Sequence, residues 1–115
     1  MNLLDIISKQ IELNPNLLYL SGTPDNPADG VTRQVVQALL DTGVEFAHVD
    51  IAANSELGNA VAQLTGEKRF PQLFINGRYA GRPTVILTMQ QDRKLGKFMR
   101  NAVDAARIAP GAPPR

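Results

Sequence analysis

One loop of this chain contains the residue types best suited to chemistry. It runs over residues 21–29, reads SGTPDNPAD, and separates a short hydrophobic run from a helix-like pattern. Residues 25–30 place carboxylates and a glycine as a calcium loop does, but Pro27 and Val36 stand where such a loop needs oxygen ligands. The phosphate-binding patterns GxxxxGK[ST] and GxGxxG are absent. The sequence therefore excludes a calcium loop and a nucleotide-binding loop here.

Asp29 is suited to a structural role as well as a functional one. Aspartate is a preferred N-cap residue, and the amide of Thr32 follows at the spacing that a cap requires. Such a cap contributes about 0.5–2 kcal/mol to stability. Yet nine residues are more than a simple connection needs, and long loops at the carboxyl end of a strand often carry function. A plain cap and a functional site both remain open at this point.

Apolar periodicity predicts the element order α, β, α, β, α, β, β, α, α. Residues 17–20 and 44–51 read as strands separated by a helix, which favours a parallel pair. Asn54 or Ser55 caps the third helix, and Asn76-Gly77 predicts a hairpin between the last two strands. We therefore predict an α/β domain over residues 1–108, with a four-stranded mixed sheet and helices on both faces. Residues 109–115, which read APGAPPR, are predicted to be a disordered tail.

The composition narrows the possible partners and chemistry. Twelve basic and eleven acidic residues give a net charge of +1, which predicts neither nucleic-acid nor membrane binding. The region from Arg93 onward is basic; a solvated helix face is favoured there, with an acidic partner or self-association as alternatives. The chain has no cysteine, so disulfides, thiolate catalysis and thiolate metal sites are excluded. Without a signal-peptide pattern or an apolar run of about 20 residues, we expect a cytoplasmic protein.

Several separated blocks together resemble one known family. The blocks GTPDNP, RQVVQALLDTGVEFAHVDI, FPQLFINGRYAG and VILTM resemble the monothiol glutaredoxins, whose active-site motif is Cys-Gly-Phe-Ser. The resemblance covers roughly residues 14–95 and implies a thioredoxin-like fold, in agreement with the element order above. It also implies that Pro71, after Phe70, is a cis-proline whose backbone could pair with an extended ligand.

The same resemblance shows what this chain lacks. Asp29 stands where the family has its nucleophilic cysteine, and a carboxylate can neither exchange disulfides nor replace the thiolate that holds a [2Fe–2S] cluster. Three contacts that the family makes with glutathione are also replaced. Ser21 stands for a lysine, Gly58 for a basic residue, and Thr84, after Arg82, for an aspartate. In the family, a Trp-Pro pair precedes the FPQ block, and Glu67-Lys68 takes its place here.

These comparisons of residues lead to one functional expectation and one alternative. We expect a non-catalytic binding or regulatory module, with no cofactor or metal, weak or no glutathione binding, and a protein partner. The alternative is a redox homeostasis protein with residual glutathione or iron–sulfur cluster handling. His48, the one histidine, is expected to be a packed or edge residue and not a catalytic one. The degenerate glutathione cleft comprises Ser21, Asp29, Gly58, Phe70, Pro71, Arg82 and Thr84.

Overall fold

The computed structural model describes residues 2–107. The predicted tail, residues 109–115, lies outside these residues, as do Met1 and Ile108 at the limits of the predicted domain. The helices are α1 Leu3–Leu13, α2 Gly30–Asp41, α3 Ser55–Thr65, α4 Pro83–Gln91 and α5 Leu95–Arg107. The strands are β1 Asn16–Leu20, β2 Gly22–Thr23, β3 Asn26–Pro27, β4 Ala47–Asp50, β5 Gln72–Ile75 and β6 Arg78–Gly81.

Four strands form the predicted mixed sheet in the order β4-β1-β5-β6. Strand β1 pairs in parallel with β4 and antiparallel with β5, and β6 adds antiparallel to β5. Asn76 and Gly77 have φ angles of 54° and 77°, which suits the two-residue hairpin that their sequence predicts. The predicted α/β architecture is thus confirmed.

Helices cover both faces of the sheet because alternate strand residues point to opposite sides. On one face, Leu18, Leu20 and Leu73 pack against α2, α4 and α5. On the other face, Tyr19 and Phe74 pack against α1 and α3. Each helix therefore packs one apolar stripe against the sheet. This packing fixes the positions of the two ends of the helix.

Two details differ from the sequence-based expectation. The expected strand over residues 44–51 is confirmed only for Ala47–Asp50, because pairing with β1 begins where Leu17 meets Ala47. The long loop after β1 contains a two-stranded ribbon, β2 with β3, which the sequence did not reveal. No helix within residues 2–107 has the length and hydropathy needed to cross a lipid bilayer.

Candidate functional site

The strand registers bring the predicted site residues to one end of the strands. Strand β1 ends at Leu20, directly before Ser21, and Leu20 lies beside Asp50 at the end of β4. Because β1 and β5 run antiparallel, Pro71, just before β5, lies at the same end of the sheet. Strand β6 runs antiparallel to β5 and ends beside the start of β5, so Arg82, which follows β6, also lies at this end. Ligands of α/β sheets commonly bind outside the carboxyl ends of the strands, where β1 and β4 end here.

The loop from Ser21 to Asp29 is held in place by the β2–β3 ribbon and by Asp50. The backbone amide of Ala28 donates to the carbonyl of Ser21 at 3.1 Å and closes the ribbon. Asp50 Oδ1 accepts the amide of Gly22 at 2.9 Å and that of Ala52 at 2.9 Å. Asp50 therefore ties the loop to the end of the neighbouring strand, a role that we did not predict.

Glycine is required where this loop begins. Gly22 has a φ of +92°, and a Cβ atom there would lie 2.5 Å from the carbonyl oxygen of Asn26. Backbone atoms on the opposite side of the ribbon cannot swing away as a side chain can. The ribbon therefore depends on Gly22 for its close backbone approach.

Replacing Asp50 with alanine is expected to lower the free energy of unfolding by about 1–3 kcal/mol, because two amides lose their acceptor. Asp50→Asn keeps a side-chain oxygen and is expected to lose less than half as much. Urea unfolding of the two variants and the wild type checks this prediction. Equal losses in both variants would mean that the hydrogen bonds of Asp50 do not stabilise the loop.

Asp29 is the N-cap of α2, as the sequence predicts. Its Oδ1 accepts the amide of Thr32 at 2.8 Å, and the carboxylate is exposed to solvent. The hydrogen bond from the Thr32 amide, the largest contribution, lowers the pKa of Asp29 below its usual value. The carboxylate is thus ionised at neutral pH and stands at the positive end of the helix dipole.

The lowered pKa of Asp29 predicts part of the acid sensitivity of the protein. An unfolded aspartate titrates near pH 3.9, so the stabilisation is present above that value and is lost as pH falls through the lower folded pKa. Asp29→Asn keeps the cap but cannot titrate. We expect the stability of the wild type to fall more steeply than that of Asp29→Asn below about pH 4. Urea midpoints measured from pH 2 to pH 6 test this, and parallel curves would contradict it.

The bond between Phe70 and Pro71 is cis, as the resemblance implies. The loop before it is fixed by Gln72, which is fully buried and donates from Nε2 to the carbonyls of Glu67 at 2.6 Å and Arg69 at 3.0 Å. The backbone preceding Pro71 is therefore held on a defined path by hydrogen bonds within the chain.

An ion pair that sequence reasoning missed links this loop to the start of α4. Glu67 Oε2 accepts from Arg82 Nη1 at 3.2 Å, and Glu67 Oε1 accepts the amide of Arg69 at 2.9 Å. These contacts, the Arg69 amide first, lower the pKa of Glu67. Arg82 is thus partly neutralised by a carboxylate 15 residues away, and no local sequence signal could have identified that partner.

Gly58 lies buried on α3 against the segment that follows β4. A Cβ atom at this position would lie 3.2 Å from Ile51 Cβ, so a larger residue would require α3 or Ile51 to shift by a few tenths of an ångström. Gly58 also lines a groove of about 480 Å³ together with Phe70 and Lys68. The structure therefore brings Gly58 and Phe70 together.

The remaining predicted residues lie where they can contact solvent. Ser21 is half-buried at the end of β1, and Thr84 is exposed in the first turn of α4. His48 is exposed on β4, an edge strand of the sheet, as expected for an edge residue. Within residues 2–107, no three His, Asp or Glu side chains cluster as metal ligands would.

An iron–sulfur cluster does not fit the donors that this site offers. Such clusters are held by cysteine thiolates, with histidine replacing some of them in one class. The chain has no cysteine, and the one carboxylate at the helix end, Asp29, already accepts the Thr32 amide. The residues present therefore do not provide a resident cluster site.

Comparison with known proteins agrees with this architecture. A family model described as Glutaredoxin matches residues 30–80. Glutaredoxin 4 of Buchnera aphidicola subsp. Schizaphis graminum is 39% identical over 103 residues, which cover 90% of this chain and 96% of that protein. A probable monothiol glutaredoxin of Legionella pneumophila is 37% identical over 89 residues, covering 77% and 100% of the two chains.

A solved structure shows the same fold. The solution structure of a reduced poplar apo glutaredoxin has a TM-score of 0.76 and 25% sequence identity, and the match covers 89% of this chain and 94% of that one. The predicted thioredoxin-like fold is thereby confirmed. Because identity to the two relatives extends over most of its length, the chain belongs to the glutaredoxin family, as a divergent monothiol-type member without a cysteine.

Proposed function

We propose that this protein is a non-catalytic binding module that uses the glutaredoxin scaffold to bind a protein partner in the cytoplasm. One observation carries the proposal: Asp29, at the N-cap of α2, presents a carboxylate where the family resemblance places the nucleophile. Thiol–disulfide exchange begins with attack by a thiolate, and a chain with no cysteine has none to supply.

The surroundings of Asp29 suit a binding surface. The loop before it is fixed by Asp50, and the loop before Pro71 is fixed by Gln72. Both loops therefore have defined conformations that are maintained by hydrogen bonds within the chain. A preorganised surface of this kind lowers the entropic cost of binding a partner.

Weak or absent glutathione binding is part of this proposal. Ser21 and Thr84 carry no charge, and Gly58 has no side chain, so these positions offer no charged contact. Arg82 is already paired with Glu67. The second candidate, residual glutathione binding, is favoured by the Gly-Thr-Pro of residues 22–24 and by Pro71, which the chain retains where the family resemblance places them.

A glutathione-coupled disulfide reduction assay tests the absence of catalysis. The expected rate equals that of the reaction without protein, and any reproducible excess would contradict the proposal. Titration with reduced glutathione to millimolar concentrations, followed by amide shifts at Ser21, Asp29, Gln72 and Thr84, separates the two candidates. No shifts are expected, whereas saturable shifts would favour the second candidate.

Affinity capture from the native cell extract tests the role of Asp29 in binding. Asp29→Asn removes the charge and keeps the cap, while Asp41→Asn makes the same change at the opposite end of α2. A partner retained by the wild type and Asp41→Asn, but lost with Asp29→Asn, is the expected result. Equal capture by all three would show that the Asp29 carboxylate is not used.

A further inference from the structure

A second candidate binding surface lies at the end of the sheet opposite to Asp29. It is a groove of about 520 Å³ between the β5–β6 hairpin and helix α5, and we call it the β6 groove. Phe98, which is 44% exposed, forms one of its walls. Its main apolar lining residues besides Phe98 are Ile75, Ala80 and Met89, and its polar lining residues are Asn76, Arg78 and Asn101.

The groove is next to an edge of the sheet. β6 is the last strand in the order β4-β1-β5-β6, so its outer side has no neighbouring strand. Apart from the ladder with β5, the described residues make no backbone hydrogen bond to residues 78–81. The N–H and C=O groups on such an edge can pair with an added strand.

The charge of the groove selects the kind of strand. Arg78 is the one charged residue among those that line it. The Glu67–Arg82 pair is the one ion pair within residues 2–107, so Arg78 has no carboxylate within salt-bridge distance there. An occupant with a carboxylate opposite Arg78 would complement this charge.

The side chains of β6 set the spacing of the occupant. Arg78 and Ala80 line the groove, whereas Tyr79 lies between them and contacts Phe74 on the other face of the sheet. Alternate residues of a strand added beside β6 would therefore face the groove. One of them would meet Arg78, and the next ones would pack on Phe98 and Met89.

We propose that the β6 groove binds an extended polypeptide segment of a partner protein, added as a strand beside β6. The segment carries a carboxylate opposite Arg78 and aliphatic side chains at the alternate positions that face the groove. A polypeptide is favoured over a small amphiphilic carboxylate because the open strand edge offers backbone hydrogen bonds that only a polypeptide can satisfy along its length. This site is separate from the Asp29 surface and does not depend on the proposed function.

Two synthetic peptides test the proposal on the full-length protein. The acidic peptide is acetyl-Glu-Thr-Leu-Thr-Leu-amide, and the basic peptide has lysine in place of glutamate. We expect the acidic peptide to shift the amides of Ile75, Arg78 and Ala80 and to bind roughly fivefold more tightly than the basic one. Equal affinities for the two peptides, or no shifts at β6, would overturn the proposal.

Variants then assign the contacts. Arg78→Glu is expected to reverse the preference between the peptides, whereas Arg33→Glu, on the exposed side of α2, is expected to retain it. Phe98→Ser is expected to weaken both peptides, and Leu40→Ser, at a residue that is 53% exposed and outside the groove, is not. Failure of Arg78→Glu to change the preference would contradict the assigned contact.

Sodium octanoate tests the competing occupant. If octanoate shifts the amides around Phe98 and neither peptide does, the groove binds an amphiphilic carboxylate and the polypeptide proposal is wrong. If the acidic peptide shifts the β6 amides and octanoate does not, the need for the strand edge is supported. Because these comparisons use the wild-type protein, they do not depend on whether a variant folds.

Discussion

Asp29→Cys is expected to give a reactive thiol that does not distinguish glutathione from other disulfide partners. The amide of Thr32, which lowers the pKa of the Asp29 carboxylate, would also stabilise a thiolate at this helix end. The pKa of the thiol should therefore lie below about 8.5, the value of a free cysteine. Its reaction rate should rise with pH and level off above that lowered pKa.

The absence of preference follows from the residues around position 29. A hydrogen bond to a charged group contributes about 1.5–3 kcal/mol, and 1.4 kcal/mol corresponds to a factor of ten. Even one such contact to glutathione would give at least about a tenfold preference. Since Ser21, Gly58 and Thr84 carry no charge that could pair with the ionised groups of glutathione, we expect reaction with oxidised glutathione and with hydroxyethyl disulfide to differ by less than about tenfold.

Asp41→Cys provides the matched control, because it places a thiol at the other end of α2. The dipole there disfavours a thiolate, so its reaction should require higher pH. Rates of mixed-disulfide formation, followed by mass spectrometry across pH, give both comparisons. A large preference of Asp29→Cys for oxidised glutathione would show that the cleft still binds it, whatever the wild type does.

Tyr19→Ala is expected to have the largest effect on stability of the changes considered. Tyr19 is fully buried, packs edge-on against Phe74 with ring centroids 5.7 Å apart, and donates to Gln10 Oε1 at 2.8 Å. Truncating a buried aromatic ring costs about 3–5 kcal/mol because a cavity remains. Urea unfolding should show this loss.

Tyr79→Ala is a suitable comparison because Tyr79 also contacts Phe74, with centroids 5.6 Å apart, but is 36% exposed. We expect it to cost less than about 1.5 kcal/mol. Tyr19→Phe separates packing from the hydrogen bond and should cost about 0.5–1.5 kcal/mol. Similar losses for Tyr19→Ala and Tyr79→Ala would contradict the assignment of Tyr19 to the core.

Local signals in the sequence were sufficient for most of the fold. Asn54 caps α3 by accepting the amide of Leu57, and Gly66 ends it in the left-handed conformation, both as their residue types predict. Asp29 caps α2 for the same local reason. The β2–β3 ribbon was missed because strands of two residues have no periodicity to detect.

Contacts between distant residues explain what the sequence did not reveal about the site. Asp50 holds the amide of Gly22 across 28 residues, and Glu67 pairs with Arg82 across 15 residues. Neither pairing has a spacing that a helix or strand would produce. The cis bond at Pro71 was accessible only through the family resemblance, while the loss of catalysis and the binding of a protein partner remain predictions.

The close approach of α3 to Ile51 has a consequence for how this cleft could change again. Glycine suits position 58 because a Cβ atom there would lie 3.2 Å from Ile51 Cβ, an atom whose place is fixed by the backbone. A lysine or arginine at position 58 would therefore push α3 outward by a few tenths of an ångström and disturb Leu57 and Val61, its buried neighbours. A charged contact at this one position would therefore require a shift in the packing of α3 as well as a new side chain.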